Sequence, residues 1–345
     1  MRLDELLRGR WVKHPVPILR VGGSGEWDDL MADCPDVISD NGRYYLFYTG
    51  HSTKTHKWAI GFAESKDLYN WKKFGGNPIL ESGDGWDRRI DGPAVFKHIE
   101  KYYMFYEASS TFSLGQNRLA FMIPYGARKK IGVFRRWIRS FRSVPISQAV
   151  DHAAGRAIGY AVSDDMITWQ KCVQNPVLTP RGGDFWDASG VFSPYVLLME
   201  GSFYLFYGGS DGKRISSGIA VSDDLCKWER KGTGPILVPG PEGSWDDSSV
   251  LVVTVIRLED AYVAFYEGQD TRNKYAIGFT YSHDFKGWTK FSGNPILTHG
   301  PKGAIDERMI NSPHVIINDE KLYMFYGSQD FKMQGHSTIA YLENE

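Results

Sequence analysis

The sequence predicts an all-β chain folded as a five-bladed β-propeller, and three observations predict it. First, one phrase recurs five times: a Trp-Asp pair, an apolar strand that usually carries a proline, an alternating aromatic strand, a small-residue strand, and a Ser-Asp turn leading to a tryptophan strand. A supersecondary unit repeated at such a period stacks into an array or a propeller. Second, aromatic residues make up 14% of the chain and glycines are frequent, which suits short strands separated by tight turns. Third, the last copy stops after its third strand, and the piece it lacks stands at the front of the chain.

The Trp-Asp pairs are Trp27-Asp28, Trp86-Asp87, Trp186-Asp187 and Trp245-Asp246, with Ile305-Asp306 at the fifth equivalent place. The aromatic strands follow at Tyr44 to Tyr48, Tyr102 to Tyr106, Phe203 to Tyr207, Tyr262 to Tyr266 and Leu322 to Tyr326. Four strands of period-two pattern per unit, divided by turns rich in Asp, Gly and Asn, make one blade. Trp11-Val12-Lys13 and Pro17-Ile18-Leu19 match Trp71-Lys72-Lys73 and Pro78-Ile79-Leu80, so the N-terminal strand is expected to complete the last blade and close the ring. The chain is then a single domain, residues 1–345.

The steps between pairs are 59, 100, 59 and 60 residues. The long step places an insert of about 41 residues between the second and third strands of blade two. That connection, residues 108–156, carries nine basic residues against one acid, Asp151. Ile131, Phe134, Trp137, Ile138 and Phe141 recur there at helical spacing, so a basic amphipathic helix is expected over the funnel. Such a helix suits the admission of an anionic sugar or a phosphate, and equally docking on another copy of the chain or on a membrane surface.

Forty Lys and Arg balance forty-one Asp and Glu, a net charge of −1, which argues against a nucleic-acid or membrane partner for the chain as a whole. Cys34, Cys172 and Cys226 show no metal or disulfide spacing. Charges stand in the first eight residues where a signal peptide needs its apolar core. A cytoplasmic protein with reduced thiols and no metal or cofactor is the expectation.

In a four-stranded blade, the connection into the first strand and the connection from second to third strand share a face, and loops converging there from several blades form a natural pocket. Aligned on the aromatic strand, Asp33, Asp91, Phe192, Leu251 and Asn311 head the first strands, while Thr49, Glu107, Gly208, Glu267 and Gly327 end the second strands. An acid present in only some copies is harder to explain by structure than one present in all. Asp33, Asp91, Glu107 and Glu267 are therefore the candidate catalytic residues. By the same logic the Asp of the Trp-Asp pair, present in every copy, is structural, with bonds expected to nearby backbone N–H groups. Candidate substrate contacts are Asp36, Arg88, Arg89, Glu307, Arg308, Asn311 and His314; the last is read as a hydrogen-bonded core histidine rather than a metal ligand.

Acids heading the first strands of blades one and two, the strand Tyr44-Tyr45-Leu46-Phe47-Tyr48, the Asn77-Pro78-Ile79-Leu80 turn and the Ser163-Asp164-Asp165 to Trp169 segment resemble the furanosidase-type propellers, glycoside hydrolase families 32 and 43 and their relatives. More distantly the turns resemble the β-mannoside phosphorylases of family 130, whose Asp-Pro-Arg signature is absent. The resemblance implies a carboxylate on blade one as base or nucleophile, matched by Asp33. It implies an Asp as transition-state stabiliser, matched by Asp91, and a Glu as acid, for which Glu267 and Glu107 stand closest. Both aspartates sit one residue further from the proline than in those families. The implied activity is cleavage of a glycosidic, furanosidic bond by carboxylate chemistry; a family 130-type phosphorylase and a non-catalytic glycan-binding propeller are the alternatives.

Overall fold

The computed structural model describes residues 1–110 and 154–343, and the regular structure there is strand, joined by turns and loops, except for one short helix, Leu3–Arg8. The bulk of the expected insert lies outside the described residues. None of the described helices is long and apolar enough to cross a membrane.

Five antiparallel units follow one another. Their first strands are Met31–Asp40, Arg89–His98, Gly190–Met199, Ser249–Arg257 and Met309–Asn318. Each pairs with its second strand, the second pairs with a third, and a two-residue fourth strand borders the first four units. In the fifth unit the border is Arg10–Lys13, which runs antiparallel to the third strand with Arg10 opposite Glu343 and Lys13 opposite Ala340.

The aromatic strand is the most deeply buried part of each unit's sheet, with consecutive residues of both faces covered. Phe47, Phe105, Phe206, Phe265 and Phe325 are fully buried, as are Tyr48, Tyr106, Tyr207, Tyr266 and Tyr326. Each phenylalanine meets the edge of the fourth-strand tryptophan of the next unit: Phe47 with Trp169, Phe105 with Trp228, Phe206 with Trp288, Phe265 with Trp11, and Phe325 with Trp71 of the first unit. Centroids stand 5.7 to 6.1 Å apart at nearly perpendicular planes, the geometry that sets a positive ring edge on a negative face. Trp11 thus fills the tryptophan role its sequence match predicts.

The tryptophan of the Trp-Asp pair lies over the tyrosine of its own unit, at 5.3 to 5.9 Å. It can do so because the third strand carries a glycine there; a Cβ on Gly61 would stand 2.6 Å from Trp27. The paired aspartate is structural, but its partners differ from those expected. Asp28, Asp187 and Asp246 accept from the tyrosine hydroxyls of Tyr48, Tyr207 and Tyr266 at 3.0 to 3.1 Å. Each of the five also ion-pairs with a basic residue of a fourth strand: Lys73, Lys171, Arg230, Lys290 or Lys13. The aspartate is buried and reaches across its unit, so long side chains rather than turn amides satisfy it.

Removing residues 1–20 deletes Trp11, the Lys13–Asp306 pair and the buried Leu3 and Leu6 together. The truncated chain is expected to melt roughly 10 °C or more below the full chain by calorimetry; an unchanged melting temperature would show that this strand contributes nothing.

Candidate active site

The site is built from a defect repeated in every first strand. Pairing slips by one residue between Asp33 and Asp36, Asp91 and Ala94, Phe192 and Tyr195, Val252 and Thr254, and Asn311 and His314. Such a bulge bends a strand and re-aims the side chain before it. The residue after the head is left-handed in four units, with φ of 54° at Cys34, 58° at Gly92, 48° at Ser193 and 47° at Ser312. That turn frees one N–H from the ladder, and a buried N–H needs an acceptor.

The acceptors come from the second-strand ends. Gly92 donates to the Thr49 hydroxyl at 3.1 Å, Ser193 to Glu107 at 2.6 Å and Ser312 to Glu267 at 3.0 Å, each time from one unit to the preceding one. Cys34 donates instead to Asp33 of its own unit at 2.7 Å, because the fifth unit has Gly327 at that place. The register sets Asp33 opposite Thr49, Asp91 opposite Glu107, Leu251 opposite Glu267 and Asn311 opposite Gly327, as the alignment of repeats predicts.

Among these carboxyl groups, Asp33 and Glu267 are driven one way and Asp91 the other. Asp33 is fully buried, and burial, helped by the charges of Asp91 and Glu267, raises it to about 7. Glu267 is raised to about 7 by burial, against the Ser312 amide bond. Burial pushes Asp91 up as well, but Arg89, Arg156 and the Thr49 hydroxyl outweigh it and hold the group below its ordinary value. Arg89 reaches Asp91 at 3.0 Å and lies over the Trp58 ring at 3.9 Å. Glu107 pairs with Arg156 through one oxygen and with the Ser193 amide through the other.

Asp33 Oδ2 and Asn311 Oδ1 are buried without a hydrogen-bond partner. The two side chains crowd the backbone of Gly327, where an alanine methyl would stand 1.8 Å from the other Asp33 oxygen, Oδ1, and 2.0 Å from Asn311 Oδ1. The absence of a side chain at Gly327 is what lets the aspartate and the amide share this corner.

The other candidates are placed elsewhere. Asp36 accepts from the Val95 amide at 2.8 Å and pairs with His314 at 2.8 Å, while the second imidazole nitrogen meets the Val37 carbonyl at 3.0 Å. This buried pair ties units one, two and five together. Arg88 and Arg308 are exposed, Arg88 lying against the Asp84 carbonyl. Glu307 closes its own turn on the Gly303 amide, as Asp29 does on Gly25 and Asp247 on Gly243. Arg156 escaped the sequence reading, where it was one of nine basic residues of the insert. Its signal was positional: it opens a third strand opposite Ser109, where the other units have Trp58, Ile215, Tyr275 and Gly335. Among the described residues no three of His, Cys, Asp and Glu converge as metal ligands. A cavity of 520 Å³ lies apart from these acids, against Lys13, His14, Asp306 and Tyr326.

Comparison with known proteins agrees with this architecture. The model of the glycosyl hydrolases family 32 N-terminal domain matches residues 196–342. An uncharacterized protein of Mycobacterium tuberculosis is 29% identical over 173 residues, 47% of this chain and 55% of the relative, so the match spans about half the relative's length. The 1,2-beta-oligomannan phosphorylase of Thermoanaerobacter sp. is 23% identical over 285 residues, 74% of this chain and 92% of that protein. Among solved structures, a glycosyl hydrolase from Bacteroides ovatus superposes with a TM-score of 0.68 at 14% identity, covering 96% of this chain and 92% of the other. A thermostable family-43 glycoside hydrolase gives 0.58 at 18% identity, covering 94% and 92%. A structure from the family 130 mannoside phosphorylases, a group containing glycoside hydrolases that target beta-1,2 mannosidic linkages in Candida mannan, gives 0.66 at 14% identity, covering 97% and 93%. The chain is similar to propeller-type glycosidases, and at these identities the likeness to solved structures is one of fold.

Two outcomes test the site. Asp33 holds its proton in the folded state between its ordinary 3.8 and about 7. Its contribution to stability is therefore full below pH 4 and lost as pH rises through 7. Asp33→Asn is expected to gain up to about 4 kcal/mol over the parent near pH 8 and nothing near pH 4, by urea denaturation at both values. Gly327→Ala is expected to cost about 1–3 kcal/mol at pH 7 from the clash with Asp33 and Asn311; a neutral substitution would show that the corner is roomier than its geometry.

Proposed function

We propose that this chain is a glycoside hydrolase that cleaves a glycosidic bond at the funnel of a closed five-bladed β-propeller, one domain over residues 1–345 with residues 108–156 inserted over the mouth. The observation that carries the reading is the division of labour among equivalent positions. Five repeats offer ten places around one rim, and acids stand at four of them; Asp91 is held ionised while Asp33 and Glu267 are brought to about 7. Carboxyl groups set apart in this way are what glycosidic cleavage needs.

In this mechanism Glu267 gives its proton to the glycosidic oxygen as the C–O bond breaks. Asp33, ionised, takes a proton from the attacking water or itself attacks the anomeric carbon. Asp91 faces the positive charge that develops on the sugar ring, with its own charge secured by Arg89 and Arg156. Glu107, with both oxygens engaged, holds Arg156 in place.

A second reading, phosphorolysis, has its own support. Arg89 and Arg156 both stand at the acids, and Arg89 Nε is buried without a partner, so inorganic phosphate could replace water as the nucleophile at that edge. The named curated relatives with assigned activities are phosphorylases.

A panel of aryl and oligomeric glycosides, assayed with and without 10 mM phosphate, tests both. Hydrolysis is expected without phosphate, with a bell-shaped profile peaking near pH 7, since one group near 7 must be ionised and the other protonated. Asp33→Asn, Asp91→Asn and Glu267→Gln are each expected to lower the rate about 10²-fold or more, with unchanged circular dichroism. A sugar phosphate formed only when phosphate is added would move the assignment to phosphorolysis, and an inert panel that still binds glycans would sink both.

A further inference from the structure

We propose that the glycan drawn to this funnel is polyanionic, recruited by a cationic rim that the hairpin tips build around its mouth. The inference rests on the funnel being the site of action described above, and it names the class of substrate.

The topology sorts charge between the two ends of the molecule. The described connections from second to third strand, in units one, three, four and five, follow directly on the Thr49, Gly208, Glu267 and Gly327 positions and so stand at the mouth. The described tips carry Lys54 and Lys57 in unit one, Lys213 and Arg214 in unit three, Lys274 in unit four and Lys332 in unit five, all exposed. None of these six has an ion-pair partner among the described residues; Arg272, their seventh neighbour, pairs with Asp270. The acids of the same tips are turned back into their own loops: Asp211 accepts from the Lys213 amide, Asp270 from Arg272 and Asp330 from Gln334, at 2.7, 2.9 and 3.0 Å. Connections entering the first strands nearly cancel, with exposed Glu26, Glu81, Asp84, Asp184 and Glu242 against Arg20, Arg88, Lys302 and Arg308. At the opposite end the tips joining first to second strands carry Asp40, Glu100, Glu200, Glu259 and Asp319, with the bases Arg43, Lys101 and Lys321 beside three of them, and Asp40 is paired with Lys97.

In a chain of net charge −1, the described tips between second and third strands therefore carry an excess of exposed, unpaired cations that the opposite end does not. Beneath the rim the floor does not repel an anion: Arg89 and Arg156 offset Asp91 and Glu107, while Asp33 and Glu267 bind protons near neutrality. Charge of one sign around a concave entrance concentrates and orients a ligand of the other, an effect that weakens with salt. Cations spaced around a ring, rather than in one pocket, suit a ligand whose charges repeat along a chain, whether uronate carboxylates or sulfate or phosphate esters.

The experiment measures fluorescence anisotropy of the full chain with labelled polygalacturonate, dextran sulfate, a phosphorylated mannan and neutral dextran, at 50 and 300 mM NaCl. At least one anionic glycan is expected to bind at least about tenfold tighter than neutral dextran, with affinity falling about tenfold at the higher salt; which one binds identifies the charged group. Lys54→Glu/Lys57→Glu/Lys213→Glu/Arg214→Glu should abolish the preference, while Lys66→Glu/Lys286→Glu, at exposed positions in the turns between third and fourth strands at the opposite end, should leave it. Equal binding of neutral and anionic glycans, equal loss in both variants, or tighter binding to duplex DNA or anionic vesicles would overturn the proposal. The outcomes separate it from the catalytic reading: neutral glycosides cleaved in an Asp33-dependent way without anion preference leave the enzyme and remove the rim, whereas an anionic glycan bound but never cleaved, with or without phosphate, does the reverse.

Discussion

The structure depends on a ring edge meeting a ring face between neighbouring units. Each buried phenylalanine of a second strand is closed over by the tryptophan of the following unit, from Phe47 with Trp169 round to Phe325 with Trp71. No unit completes its own core, because the residue that caps its aromatic layer belongs to its neighbour. The two chain ends are bound by the same rule, since Trp11 closes over Phe265 and its strand borders Gly335–Glu343. Surface that a lone sheet would expose is thereby removed from water on both faces.

That mutual dependence also creates the site. Neighbouring first strands pack on one another, and in three of them the bulge turns one N–H toward the second-strand end of the preceding unit. An oxygen must stand there. Thr49, Glu107 and Glu267 supply it, so the same side chains that join units place oxygen atoms beside the heads of the first strands. Where the second strand ends in Gly327, the Cys34 amide donates to Asp33 instead, and the second Asp33 oxygen is left unpartnered beside Asn311. Structural and chemical demands fall on the same positions. An acid in only some copies is thus consistent with both, and the protonation state rather than the presence of the acid distinguishes them.

Electrostatics then divides groups that the repeat makes equivalent. Asp33 and Asp91 occupy the same place in consecutive units, yet one is raised to about 7 and the other held low. Two guanidinium groups account for the difference, Arg89 from the same strand and Arg156 from the third strand of the same unit. Arg156 is itself pushed down to about 9 by burial and by Arg89, a sign of how tightly cations and carboxylates are packed without water. A small change at either arginine would reach both acids.

By itself the amino-acid order determined the repeat, the strand sequence of each unit, the borrowed N-terminal strand and the facing of Asp33 with Thr49 and Asp91 with Glu107. These follow from local periodicity and from counting equivalent positions, which need no knowledge of distance. Only the tertiary structure decided what the equivalent residues meet. Asp36 and His314 proved to be partners of each other across the first and fifth units, Glu307 a turn-closing acid, and Glu107 a carboxylate with both oxygens held. Arg156 emerged from a basic stretch as a partner of the acid ring. Each of these depends on contacts between residues far apart in the chain, and on how much water remains around them. Burial and long-range proximity set protonation, and neither is carried by the order of residues along one strand.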